Sequence, residues 1–205
     1  MPHAIARLLC LLGALTSLLL LGGCGEAAPP PFHNTDITGA SFGAEFPQAL
    51  TDHRGQLRRL KDFRGKAVIL FFGYTHCPDV CPTALARFAA TVKQLGPAGA
   101  RVQVLFVSID PERDTPTRLA EYVPWFDPSF LGLTGTPATV AEVAKEFRIY
   151  AARQEVGGAL GYVMDHTAGA YVYDPAGRLR LFVKDDAPID GLVADLQRLL
   201  AAVDA

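Results

Sequence analysis

Two cysteines, Cys77 and Cys81, stand where an apolar run gives way to a helical pattern, in Phe71-Phe72-Gly73-Tyr74-Thr75-His76-Cys77-Pro78-Asp79-Val80-Cys81-Pro82. Placed in a first helical turn, they lie at i and i+4, one above the other, so both sulfurs can address one small target. Helical i and i+4 Cα atoms fall about 6 Å apart, inside the disulfide window, so one target is a bond between the two. The other is a soft metal ion shared by two thiolates. A helix N-terminus lowers a thiol pKa and favours the thiolate, so both chemistries start from the same preparation.

The remaining cysteines belong to a leader. Arg7 is followed by an uncharged run of fourteen residues, Leu8 to Leu21, whereas a spanning helix needs about 20. Residues 1–23 therefore read as a secretory signal. The run ends in Leu21-Gly22-Gly23-Cys24, which resembles the lipobox of bacterial lipoproteins and implies that Cys24 becomes a lipidated N-terminus. Cys10 then leaves with the signal and Cys24 is blocked, so Cys77 and Cys81 are the free thiols of the mature chain. Several acyl chains on one cysteine anchor a protein stably, where a single chain is marginal. Residues 24–35, with Pro29-Pro30-Pro31, have the composition of a tether that extends about 35 Å from a membrane.

The elements that position the cysteines follow from periodicity over residues 36–205. The 205-residue chain, half of it hydrophobic, can bury a sizeable core and has the length of a single domain. A net charge of -2 gives no sign of nucleic-acid binding. Gln48–Thr51 and Gln56–Leu60 flank Gly55 as a hairpin. Ala67–Phe72 and Val102–Ile109 are continuous apolar runs of strand length, as expected for strands buried on both faces. Between them Leu85, Phe88, Val92 and Leu95 mark one helical face. Thr115-Pro116 and Thr136-Pro137 read as N-caps followed by proline at the first helical position. Tyr162-Val163 and Ala170–Tyr173 read as strands, Asp174-Pro175-Ala176-Gly177 as a turn into Leu179–Val183, and Ile189 to Leu200 as a closing amphipathic helix. Helices must cover both faces of such a sheet, and ligands collect beyond the carboxyl ends of its strands. The expected architecture is a thioredoxin-like α/β domain of the extended, peroxiredoxin-related kind, with a central mixed sheet flanked by helices.

Three ordered segments carry a more specific likeness: Gly73 to Thr83, Val107-Ser108-Ile109-Asp110-Pro111-Glu112-Arg113-Asp114-Thr115-Pro116, and Tyr162-Val163-Met164-Asp165-His166-Thr167 with Tyr171–Pro175. Together they resemble the Sco/SenC family of membrane-anchored, copper-binding assembly factors for cytochrome c oxidase, from about Phe42 to Leu200. The resemblance implies that Cys77, Cys81 and His166 bind copper, and that the same two cysteines form a redox-active disulfide. It implies further partners: the copper-binding subunit of the oxidase, other periplasmic copper chaperones and thiol reductants. The expected location is the periplasmic face of the cell membrane, lipid-anchored at Cys24. Two thiolates suit Cu(I), and an added imidazole makes a site that also holds Cu(II).

Neighbouring residues have their own expected roles. Thioredoxin-type oxidoreductases place a cis-proline on the late strand that approaches the cysteines. Val163 to Thr167 contains no proline, so His166, expected at the start of that strand, puts a ligand in place of a backbone clamp. Asp165 is expected to hold the His166 imidazole from behind. Asp79 adds negative charge that favours a bound cation, and Asp110 orders the site or contacts the partner. His76 points to the other side of the strand end, and His33 and His53 read as solvated. Among rival functions, a thiol peroxidase lacks its signature: the positions of its threonine and proline hold Tyr74 and Leu70. A membrane-anchored thiol-disulfide oxidoreductase with no physiological metal is the alternative, and it leaves His166 without a purpose. Structural zinc would leave its fourth tetrahedral position unfilled.

Overall fold

Two apolar runs have no face to offer to water, and the fold is built around them. Every residue of β4 (Ala67–Gly73) and of β5 (Val102–Ser108) is buried, and the two pair in parallel from Ala67↔Val102 to Gly73↔Ser108. The computed structural model describes residues 31–158 and 161–202. The leader, Cys24 and tether residues 24–30 lie outside the described residues. Among the described residues no helix is long and apolar enough to cross a membrane.

Around this pair stand β1 (Thr35–Asp36), β2 (Leu50–Asp52), β3 (Leu57–Arg58), β6 (Leu131–Thr134), β9 (Ala170–Tyr173) and β10 (Leu179–Val183). The sheet runs β1-β10-β9-β4-β5-β6-β2-β3. β6 is parallel to β5, while β9 is antiparallel to β4, so the sheet is mixed. Parallel neighbours need a crossover, and helices α1 (Val80–Gln94) and α2 (Pro116–Tyr122) supply it. α3 (Pro137–Glu146) and α4 (Ile189–Ala201) complete the set.

Adjacent residues of a strand point to opposite faces, and the ring contacts of β4 show what covers each. Phe71 meets Phe88 of α1 edge-on with centroids 5.7 Å apart. Phe72 meets Phe147, just after α3, at 5.3 Å. Burying each ring contributes about 1.5–3 kcal/mol. Thr115 and Thr136 cap α2 and α3, accepting from the N–H groups of Arg118 and Thr139, with proline at the next position as expected.

One element lies outside this sheet. β7 (Ala151–Gly157) and β8 (Gly161–His166) form a separate antiparallel two-stranded ribbon. Tyr162-Val163 is thus a strand, but of the ribbon and not of the central sheet. Its partner β7, Ala-Ala-Arg-Gln-Glu-Val-Gly, is largely exposed and carries no apolar alternation by which to recognise it.

Of the two histidines read as solvated, the His33 side chain is exposed, whereas His53 is half-buried. The His53 Nδ1 accepts from the Gly132 N–H at 3.0 Å, and burial lowers its pKa. His33 and Asn34 both bind the carboxylate of Asp195 on α4, through their backbone N–H groups at 2.9 Å each.

Candidate metal centre

The cysteine loop hangs from the carboxyl end of β4. Cys77 precedes Pro78, and a residue before proline is disfavoured in the α region. The helix therefore starts later than the i, i+4 reading requires: Asp79 is the N-cap and α1 begins at Val80. Cys77 sits in the preceding turn, where its N–H donates to the Tyr74 carbonyl at 3.2 Å. The sulfurs still converge, because the Cys81 N–H donates to the Cys77 Sγ at 3.4 Å. Cys81 is fully buried. A Cβ added at Gly73 would lie 2.8 Å from its sulfur, so only glycine fits on β4 behind it.

His166 reaches the pair from the ribbon. Its Nε2 lies 3.8 Å from the Cys81 Sγ, and the ligand atoms of Cys77, Cys81 and His166 are all within 4.8 Å of one another. Among the described residues this is the group of three that could hold an ion. Its Nδ1 lies 3.0 Å from the Thr167 carbonyl. A carbonyl can only accept, so Nδ1 carries a proton and donates it there, which turns Nε2 towards the sulfurs. Two soft sulfurs and one imidazole are a donor set that fits copper in either common oxidation state.

The two thiols are driven apart in acidity. The Cys77 thiol is lowered to about 3, first by the hydrogen bond from the Cys81 thiol, then by the His166 imidazole and the backbone N–H groups of Cys81 and Asp79, against the opposing effect of burial. Cys81 is pushed up because it donates to Cys77, is buried, and faces the Cys77 negative charge. The metal-free pair is one thiolate, half exposed, and one buried thiol that supplies its hydrogen bond.

The expected supporting acids resolve differently. Asp165 does not hold the imidazole. It neighbours His166 on a strand, so its side chain points to the other face and is exposed; the Thr167 carbonyl takes the role. Asp79 is exposed and makes no side-chain capping bond, and acts on Cys77 through its backbone N–H. Asp110, 3% exposed, touches neither sulfur nor imidazole: it pairs with Arg113 and accepts from the Tyr162 hydroxyl at 2.8 Å. His166 ends β8 and does not start a strand, because Thr167 to Gly169 break the run before β9. His76 is exposed, its Nδ1 3.1 Å from the Thr75 hydroxyl, outside the sulfur group.

Sequence reasoning passed over Asp114, Tyr74 and Tyr162. Asp114 is fully buried and accepts from the Thr75 hydroxyl and N–H at 2.7 and 3.0 Å and from the Ser108 hydroxyl at 2.7 Å. It thereby ties the end of β4 to the end of β5 beneath the cysteine loop, and burial raises its pKa. Tyr74 stands edge-on to His166, centroids 6.0 Å apart, and burial raises the pKa of its hydroxyl. Asp114 lies four residues after Asp110 in the same motif, which was the available signal.

The fold and the site define a thioredoxin-like α/β protein with a Cys-Cys-His group at the mouth of its sheet. Residues 34–201 match the SCO1/SenC family model, and the chain belongs to that family. It is 38% identical over 156 residues to the mitochondrial SCO2 homologue of Bos taurus, covering 75% of this chain and 59% of that protein. It is 39% identical to the mitochondrial SCO1 homologue of Homo sapiens, over 64% of this chain and 44% of that one. The chain thus spans about half the length of the curated relatives it matches. Among solved structures, copper-bound ScoI of Bradyrhizobium japonicum is 40% identical with a TM-score of 0.71, over 78% of this chain and 100% of that one. Apo Sco1 of Thermus thermophilus is 42% identical with a TM-score of 0.73, over 85% and 100%.

Proposed function

We propose that this protein is a copper carrier that takes Cu(I) or Cu(II) through Cys77, Cys81 and His166 and passes copper, or electrons, to the copper-binding subunit of cytochrome c oxidase during its assembly. The observation that carries this reading is the convergence of two sulfurs and an imidazole nitrogen, distant in sequence, to within 4.8 Å of one another. Family membership and a copper-bound relative of 40% identity support it. Export by residues 1–23 and a lipid anchor at Cys24 would hold the domain at the periplasmic face of a membrane, where other copper chaperones and thiol reductants are its partners.

Each ligand does a separate task. The Cys77 thiolate is available at neutral pH and half exposed, so the incoming ion meets it first. Cys81 gives up its proton as the ion replaces the hydrogen bond it donated. His166 presents an Nε2 already aimed by the bond of Nδ1 to the Thr167 carbonyl, which spares the ring its reorientation. Copper titration of the reduced full chain in detergent, beside His166→Ala and Cys77→Ser, tests the site. Both variants are expected to bind more weakly, and a wild-type affinity no tighter than either rejects the assignment.

A second reading rests on the split acidities. In thiol exchange the Cys77 thiolate attacks a partner disulfide, one partner sulfur leaves as thiolate, and Cys81, losing its proton, closes the Cys77–Cys81 disulfide while the partner is released as a dithiol. Two electrons pass to the partner. The reverse exchange, from the oxidised form, oxidises partner thiols. The imidazole helps to hold the Cys77 thiol down, so an exchange that slows but persists in His166→Ala, beside copper binding abolished by it, separates the two activities.

A further inference from the structure

The ribbon that delivers His166 is poorly supported by the core. Two-stranded ribbons are marginal in water on their own. This one overhangs a cleft of about 530 Å³ whose far wall includes Pro137, Val140 and Ala144 of α3, so on that side no packed layer fixes its height.

One side chain, Tyr162, joins the outer part of the ribbon to the loop after β5, beside the Arg153–Glu112 ion pair at 3.5 Å. Tyr162 is on β8 four residues before His166, on the same face by strand alternation. Its ring is sandwiched between two guanidinium groups, Arg113 at 3.5 Å and Arg153 at 3.7 Å from the centroid. Its hydroxyl donates to the buried Asp110, and Arg113 also donates to the Tyr162 carbonyl at 3.0 Å. Arg113 and Asp110 belong to the loop after β5, and Arg153 to β7, so the stack joins both strands of the ribbon to the sheet. At the other end, near His166, the Thr167 N–H bonds the Tyr150 carbonyl and extends the ribbon's own ladder, while Met164 packs against the core and Tyr74 stands edge-on to His166.

We propose that Tyr162 is a positioning residue for His166: clamped by Asp110, Arg113 and Arg153, it sets the height of the ribbon over the cleft and thereby decides whether the imidazole reaches the sulfur pair. The inference rests on the copper reading for its consequence, but the clamp itself is independent of metal. With the clamp intact the site has three ligands. With it released, the dithiol remains while the imidazole withdraws, which leaves a site suited to Cu(I) and poor for Cu(II).

The test uses the reduced full chain in detergent, with Tyr162→Phe, Tyr162→Ala and Arg153→Ala, each alone and with His166→Ala. Without metal, the His166 ring-proton resonances report its place against the edge-on Tyr74 ring. In Tyr162→Ala they are expected to move towards those of an exposed histidine, and in Tyr162→Phe, which keeps the stack and loses the Asp110 bond, to move less. Arg153→Ala, at an exposed position, gives the same direction if Tyr162→Ala does not fold. With Cu(II), Tyr162→Ala is expected to lower affinity by roughly tenfold or more and to remove the nitrogen hyperfine signature, with no further loss in the His166→Ala background. Unmoved His166 resonances in both Tyr162→Ala and Arg153→Ala overturn the proposal, as does an equal affinity loss with and without His166. Failure of the wild-type chain to bind copper sinks the functional reading instead, while the resonances still decide the clamp.

Discussion

The cysteine loop and the His166 ribbon supply one site from two unlike supports. The sulfurs are set by the interior: Cys81 is fully buried against Gly73, Asp114 bonds the loop from below, and the strand leading to it has no exposed residue. The imidazole is set from the periphery, by a two-stranded ribbon held at a cation-sandwiched tyrosine and at a few bonds near its base. Anchoring the sulfur pair at the end of the central strand while mounting the imidazole on an outlying arm lets the third donor move without unfolding the sheet.

The difference predicts unequal costs for truncation to alanine in the two regions. Phe71→Ala on β4 removes a ring that packs against Phe88 and Phe106 and is expected to destabilise the protein by about 3–5 kcal/mol. Val156→Ala, at an exposed position of the ribbon, is expected to stay within about 0.5 kcal/mol. Urea unfolding of both variants checks this, and similar midpoints would erase the distinction. Gly169→Ala probes the join between the two supports. Gly169 has φ of +134°, and a Cβ there would lie 2.4 Å from the Phe182 ring, so the chain between His166 and β9 must shift. A loss of about 1–3 kcal/mol is expected, with a loss of copper affinity that Phe71→Ala does not show once folded protein is compared at equal concentration.

The same contrast governs what could be read from the sequence. β4, β5, α1 and α4 announce themselves because burial imposes an apolar period on every residue, and the Thr-Pro pairs cap α2 and α3 because a missing N–H costs nothing at the first helical position. β7 was illegible: Arg153, Gln154 and Glu155 face water, and nothing in their order distinguishes a ribbon from a loop. Of the site, the sulfur pair was visible from spacing, though proline at position 78 moves Cys77 out of the helix. His166 needed the family resemblance, because 85 residues separate it from Cys81. The residue that orients it could not be named at all. Asp165 was the chemically obvious choice, yet strand alternation turns it away and a main-chain carbonyl, which has no sequence signature, does the work.

The smallest expected effect lies within the rigid half itself, in how its stability depends on pH. Cys77 ionises near 3 in the folded, reduced, metal-free protein, while an unfolded cysteine ionises near about 8.5. Between those values the unfolded chain binds a proton that the folded chain has released, so stability rises with pH across the window and is lost as pH falls through the folded value. Cys81 shifts the other way: above about 8.5 the unfolded thiol ionises while the folded one keeps its proton, and the slope reverses. The gain is screened because Cys77 is half exposed, which places it below the packing substitutions. It is isolated by subtracting the urea midpoints of reduced Cys77→Ser from those of the wild type at pH 5, 6 and 7, below the range in which Cys81 ionises in either state. The difference is expected to favour the wild type increasingly towards the upper end. A flat difference would mean that the Cys81 thiol does not donate to Cys77 in solution, and that the sulfur pair, unlike the imidazole, is assembled by the ion and not before it.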